Sequence, residues 1–315
     1  MVVAERLSRP VDVRPAEALR RYARPVENAV VEVESSYGIR VPFARTATAI
    51  ATCQLSEGSR DLLRGLLRTG RTRFFPGGGI GIEYGSLLKT AVRPEYLAGH
   101  VRETVAHLRD ADVDLLIVPG MSGYPVGAVY AIAAELPAVL LKKQKLSAAP
   151  DALYPPGSFV IPSYTGDGDV VISADHDAVV DILAVVLERR LKEQPDVPNP
   201  FVAIRAAGAD DIIDKATMAH AITESAPLFC QTALAGAVSR YRVESGDRRP
   251  IEARVDVVSW VTPLIKAYNA PDEHLRHHFG ITPFAGVWVT SVHLDPCAIG
   301  VAGAGVLAFA DFSAS

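Results

Sequence analysis

Little in this sequence suits a nucleic acid, a lipid bilayer or an oxidising compartment. Basic residues do not exceed acidic ones: 32 Lys and Arg against 36 Asp and Glu give a net charge of -4. The electrostatic footprint that a phosphate backbone demands is therefore missing, and nucleic-acid binding is not expected. No uninterrupted apolar run reaches the roughly 18 residues of a membrane-spanning helix, so no membrane association is expected. The opening MVVAERLSRPVDVRP carries charges where a secretory signal has its apolar segment, which makes the cytosol the expected location. Cysteine is scarce. Cys53, Cys230 and Cys297 lie too far apart for disulfide or zinc spacing, and reduced thiols are the expectation. Gly-x-Ser-x-Gly is also absent, since GMSGYP has the wrong spacing, and serine-hydrolase chemistry is not expected.

What the chain does have is apolar mass. With 49% hydrophobic residues over a length of 315 it can bury a large core, in one big domain or two ordinary ones. The segment Pro94 to Asp110 spaces Leu97, Val101, Val105 and Leu108 as an amphipathic helix. DLLIV follows, an unalternating aliphatic run of the kind found in parallel strands buried on both faces. A Pro/Gly turn, a small-residue helix (GAVYAIAAEL) and a second strand (AVLLKK) complete a crossover unit. SFVIPSY and DVVIS read as further strands and Ala178 to Gln194 as a helix. The expected fold class is α/β, with a mostly parallel, doubly wound sheet over residues 70–195 and an N-terminal extension or hood over 1–69. The prolines of QPDVPNP, Gln194 to Pro200, mark a linker. An additional α+β C-terminal domain or cap is expected over 200–315, with helices near Asp210 to Thr223 and Leu228 to Val238 and strands in RVDVVSWVT, GVWVTSVHL and GVLAFADF. A helix is expected at Ala16 to Tyr22.

The turn PGMSGYPVG stands where open α/β sheets bind ligands, beyond the carboxyl end of a strand. Gly120 and Gly123 permit close backbone approach to an anion, Ser122 supplies a hydroxyl, and Pro125 presets the first helical turn. On turn chemistry alone it is either a phosphate cradle or a tight strand-to-helix turn. Asp177 would cap the helix beginning at Ala178, with Asp181 in its first turn. FFPGGGIGIEYGS (Gly77, Gly78, Gly79, Gly81) and TGDGD (Thr165 to Asp169) are flexible, donor-rich loops suited to a lid or to a phosphate. Asp175, His176 and Asp177 have divalent-metal donor types, as do His293 and Asp295, although adjacent residues at a strand end point to opposite sides. HLRHHFG places His274 and His278 at i and i+4 on one helical face, which reads as a helix surface or as a two-ligand metal pair.

DVDLLIVPGMSGYPVGAVYAIAAELPAVLLKKQ resembles the pyrophosphate-loop half of a type I phosphoribosyltransferase: a buried strand, a small Gly/Ser loop, a helix opening Pro-x-Gly-Ala, and a strand ending in basic residues. The resemblance covers roughly Pro94 to Gln194. It implies that Gly120, Met121, Ser122 and Gly123 bind pyrophosphate and that Lys142 and Lys143 neutralise it. It also implies that Asp175 and Asp177 orient ribose hydroxyls directly or through Mg²⁺, with His176 as a candidate general base. The family's Thr-Gly-Gly-Thr-like loop for the ribose 5-phosphate is absent from DVVISADHDAVVDIL, and Gly78 and Gly79 are candidate replacements. The implied activity is transfer of a phosphoribosyl or related sugar group from a pyrophosphate donor to a small-molecule acceptor, in nucleotide metabolism, by a homodimer. The alternative is a non-catalytic member of the fold that senses a nucleotide or anion.

Overall fold

A computed structural model describes residues 55–74, 80–84, 87–88, 93–146, 154–155, 157–162, 169–294 and 297–309. In chain order they form α1 (Glu57–Thr69), β1 (Arg71–Phe74), β2 (Ile80–Glu83), α2 (Pro94–Asp110), β3 (Leu115–Pro119), α3 (Tyr124–Ala134), β4 (Ala138–Lys145), β5 (Phe159–Pro162) and β6 (Asp169–Ser173). There follow α4 (His176–Lys192), β7 (Phe201–Ala209), β8 (Ile212–Ile213), α5 (Thr217–Ser245), β9 (Glu252–Lys266), α6 (Pro271–Phe279), β10 (Phe284–Leu294), β11 (Cys297–Val301) and β12 (Gly305–Ala308). The helix expected at Ala16 to Tyr22 lies outside the described residues. The architecture is α/β with a mixed sheet, parallel at its centre and antiparallel at its edges. No described helix is long and apolar enough to cross a membrane.

Contacts divide the chain into two compact units, neither of them continuous in sequence. One contains Leu108–Ala209 and Thr217–Trp260; the other contains Asp210–Ala216 with the stretches up to His107 and from Val261. The proline-rich segment Gln194 to Pro200 falls inside the first unit, because β7, which follows it, pairs with β3.

In the first unit β3 is parallel to β4 on one side and to β7 on the other. All five of its residues are buried, as its unbroken LLIVP run requires of a central strand. β6 closes the β4 edge antiparallel, and β5 extends it antiparallel again. Asp114, immediately before β3, is buried without being isolated. Its carboxylate accepts from Arg189 Nη2 at 2.6 Å, from Arg190 Nε at 2.7 Å and from the backbone N-H of Arg205 at 2.8 Å. One side chain thus ties the entry of β3 to β7 and to the last turn of α4.

β7 (FVAIRAAGA) and α5 differ from the sequence expectation in instructive ways. β7 is rich in Ala and Gly, residues of low strand propensity, and forms because it is buried beside β3. A Cβ at Gly208 would lie 2.4 Å from the indole of Trp260, which is fully buried and donates from Nε1 to Thr223 Oγ1 at 2.9 Å. The two helices expected near Asp210–Thr223 and Leu228–Val238 are one, α5, which runs through Pro227. Its buried face (Ala219, Ile222, Ala226, Phe229, Ala233) recovers in packing what the missing N-H loses. Residues 210–216 stay outside it.

In the second unit α1 and α2 approach backbone to backbone. A Cβ on Gly58 would meet His100 N at 2.4 Å, and Glu103 accepts from both Gly58 N and Ser56 Oγ. His100 is buried against Phe284, and burial lowers its pKa to about 4, so the ring is neutral where it stacks. β10 runs parallel to the final residues of β9, and β11 and β12 continue antiparallel.

Replacing Asp114 by Ala should lower the unfolding free energy by about 3 kcal/mol, because an arginine cluster loses its buried counter-charge. The urea midpoint should fall at unchanged m-value. Glu188→Ala, which removes only an exposed pair with Lys192, should cost about 0.5 kcal/mol or less.

Candidate functional site

The first unit presents two strand-to-helix junctions, and they treat the helix N-terminus in opposite ways. At β6–α4 the cap is a carboxylate: Asp175, in extended conformation, accepts the Ala178 N-H at 3.0 Å. At β3–α3 the cap is Gly123, which has no side chain to offer, and no side chain accepts from the first turn. Pro125 removes one of the orphan N-H groups there, and the others are left at the positive end of the helix dipole.

The loop leading into α3 is fixed from below. Tyr124 donates from its hydroxyl to the Leu141 carbonyl at 2.7 Å, and burial raises its pKa, which keeps the donor proton in place. Gly120 lies directly on this pair. A Cβ there would come within 2.4 Å of Leu141 O and 2.5 Å of Tyr124 Oη, so only glycine fits. The Gly120-Met121 peptide is cis. Met121 is 74% exposed and Ser122 half-buried, while Gly120 and Gly123 are buried. The four residues expected to form an anion cradle therefore form one tight turn at the start of α3. The two lysines of the same expectation are divided by strand alternation: Lys142 is exposed and Lys143 half-buried, and they pair with Ser173 and Ile172 respectively.

An acidic stretch that the sequence reading took for helix stands in the second unit. β7 ends at Ala209, and Asp210, Asp211 and Asp214 follow before α5 opens at Thr217. Asp211 is buried and accepts from Tyr84 Oη at 3.0 Å. Burial and the Asp211 carboxylate push the Tyr84 pKa upward. Asp214 is held at both oxygens, by Lys266 Nζ at 2.7 Å and by Asn269 Nδ2 at 2.5 Å. Ala216 takes the left-handed conformation at φ 57° immediately before the helix. Asp210 and Asp211 thus form an adjacent acidic pair directly after β7, with β8 and a short connection between them and Thr217.

No protein-family model matches this chain, and no curated protein sequence does. Among solved structures it is similar to the adenine phosphoribosyltransferase of Thermoanaerobacter pseudethanolicus (15% identity, 71% of this chain and 97% of that one, TM-score 0.42). It is also similar to that of Giardia lamblia complexed with 9-deazaadenine (13%, 72% and 97%, 0.43) and to that of Saccharomyces cerevisiae (11%, 73% and 98%, 0.41).

The remaining expected residues are more dispersed. Asp175 and Asp177 are exposed, the first as the cap of α4 and the second in its first turn, so the cap lies two residues earlier than Asp177. His176 borders a cavity of about 10 Å³ with Leu141, Phe159, Ser173 and Phe229, room for roughly one water. Gly78, Gly79, Thr165 to Gly168, Cys53 and Asp295 lie outside the described residues. His293 bonds through Nε2 to Ser291 Oγ at 2.8 Å, and burial lowers its pKa. Among the described residues no group of three or more His, Cys, Asp or Glu is arranged to hold a metal. Cys230 is buried, with its thiol pushed up to about 12 by that burial, and Cys297 is exposed.

Gly120→Ala should shift Tyr124 off Leu141, seen as a lowered melting temperature. At α4, Asp175→Ala should cost about 1 kcal/mol of stability while Asp175→Asn, which caps equally well, leaves thermal unfolding nearly unchanged.

Proposed function

We propose that this chain transfers a phosphoribosyl or related sugar group from an activated pyrophosphate donor to a small-molecule acceptor, and that the pyrophosphate docks on the α3 N-terminus. The observation that carries the reading is the uncapped start of α3 beyond a buried parallel strand, over a glycine that no other residue can replace. In the reaction the bond from the anomeric carbon to pyrophosphate breaks, and the leaving group keeps the electron pair. The acceptor nucleophile bonds to the same carbon and gives up a proton. Negative charge grows on the leaving group, so amide N-H groups and a helix dipole stabilise that side without reorganising. The Ser122 hydroxyl and the half-buried Lys143 add a donor and a cation.

Carboxylates are needed on the ribose side, and the first unit offers Asp175 with Asp177. The oxygen-only donors of this pair suit Mg²⁺, which takes one or two protein carboxylates and fills its remaining positions with water and substrate phosphate. When bound it would neutralise the charge of the departing pyrophosphate.

One observation favours the second reading, a sensor of nucleotide or anion. Neither the start of α4 nor that of α5 offers a glycine, the former being filled by Asp175 and the latter preceded by Ala216, so a second phosphate has no evident nest at these helix starts among the described residues. Calorimetry with phosphoribosyl pyrophosphate and Mg²⁺, beside a pyrophosphate-release assay over a panel of amine and nucleobase acceptors, separates the two. Binding with release is expected and should fall roughly tenfold or more in Asp175→Asn; binding without release selects the sensor, and no binding discards both.

A further inference from the structure

The start of α3 and the lysine-bearing end of β4 are fastened together at one oxygen atom. Leu141 is the last residue of β4 to pair with β3, opposite Pro119, and Lys142 is the first to pair with β6, opposite Ser173. At this change of partner the Leu141 carbonyl accepts, at 2.7 Å, from the hydroxyl of Tyr124, the first residue of α3. We propose that Tyr124 is a positioning residue which, through the Leu141–Lys142 peptide, holds Lys142 ready for the anion bound by α3; this rests on pyrophosphate docking at the α3 start.

Alternation along β4 decides which lysine the bond affects. Val118 faces α3, since a Cβ on Gly127 of that helix would lie 2.5 Å from Val118 Cγ1. Val118 and Leu140 are parallel partners, so their side chains leave the sheet on the same face. Two residues further on, Lys142 leaves on that face as well, and Lys143 leaves on the opposite one. Lys142 is exposed and stands one residue beyond the Pro119–Leu141 pair, as Gly120 does on the β3 side.

A carbonyl belongs to a rigid peptide plane, so a hydrogen bond to the Leu141 oxygen orients the amide of Lys142 as well. The space for that bond exists because position 120 is glycine: a Cβ there would lie 2.4 Å from Leu141 O and 2.5 Å from Tyr124 Oη. Burial raises the Tyr124 pKa, which keeps the donor proton on the hydroxyl at neutral pH. Lysine loses much rotamer freedom when it grips an anion, and a backbone already fixed beneath it leaves less to be lost on binding. Phenylalanine at position 124 keeps the ring and forfeits only this bond.

The test is calorimetric titration with sodium pyrophosphate of the wild-type chain, of Tyr124→Phe, Lys142→Gln and Lys143→Gln, and of Tyr124→Phe combined with each lysine variant. Circular dichroism on each shows whether the fold is kept. Tyr124→Phe is expected to raise the Kd roughly fivefold or more. The same change is expected to matter by about twofold or less once Lys142 is Gln, and in full when Lys143 is Gln. Equal affinity of folded Tyr124→Phe and wild type overturns the proposal while leaving the pyrophosphate site in place. Additive losses with Lys142→Gln also overturn it, as does coupling to Lys143 as large as that to Lys142, because a purely structural hydroxyl would not single out one lysine. Absence of pyrophosphate binding in wild type discards the site and this role with it. If Tyr124→Phe does not fold, amide hydrogen exchange of the wild-type chain decides: pyrophosphate is expected to slow exchange at Lys142, and unchanged exchange there overturns the proposal.

Discussion

The carboxylate of Asp114 is the constraint from which the first unit is organised. A charge with almost no solvent exposure must be answered from within the protein, and here the answer comes from two guanidinium groups of α4 and an amide of β7. Because β3 and β7 are fastened at their entry, their parallel pairing of Leu115 with Ala206 through Ile117 with Gly208 follows in register. Fixed register at the start of a short strand means a fixed exit at its end. The turn at Gly120–Gly123 is therefore placed by an interaction one strand length away, and the Tyr124–Leu141 bond secures it locally.

The two strand-to-helix junctions of the same sheet illustrate how a small choice of residue decides what a helix terminus can do. A carboxylate at the cap satisfies an amide and cancels part of the dipole, which makes α4 self-sufficient. A glycine at the cap satisfies nothing and hides nothing. The second arrangement is less favourable to the empty protein, and it makes chemical sense where an external anion supplies the missing acceptor.

The central part of the fold was legible because its signals were local. DLLIV, AVLLKK and DVVIS carry unbroken aliphatics, Pro94 opens a helix of regular period, and the Gly/Pro turn announces α3; each became an element of the expected type. Legibility failed where burial overrode propensity. FVAIRAAGA loses its strand signal in the Ala and Gly residues that make up more than half of it, and its place beside β3 could not be read from them. Pro227 likewise suggested two helices where tertiary packing sustains one. Of the candidate site, the glycine turn was readable from spacing, whereas the Tyr124–Leu141 support joins residues far apart in sequence, a pairing that only the crossover creates.

The snug seat of Trp260 against Gly208 has a spectroscopic side. The chain contains 2 tryptophans. Trp260 closes one compact unit in full burial, and the half-buried Trp288 belongs to the other. Each unit thus has its own intrinsic fluorophore in a different polarity, so emission wavelength can report, without any label, whether the two melt together or in turn.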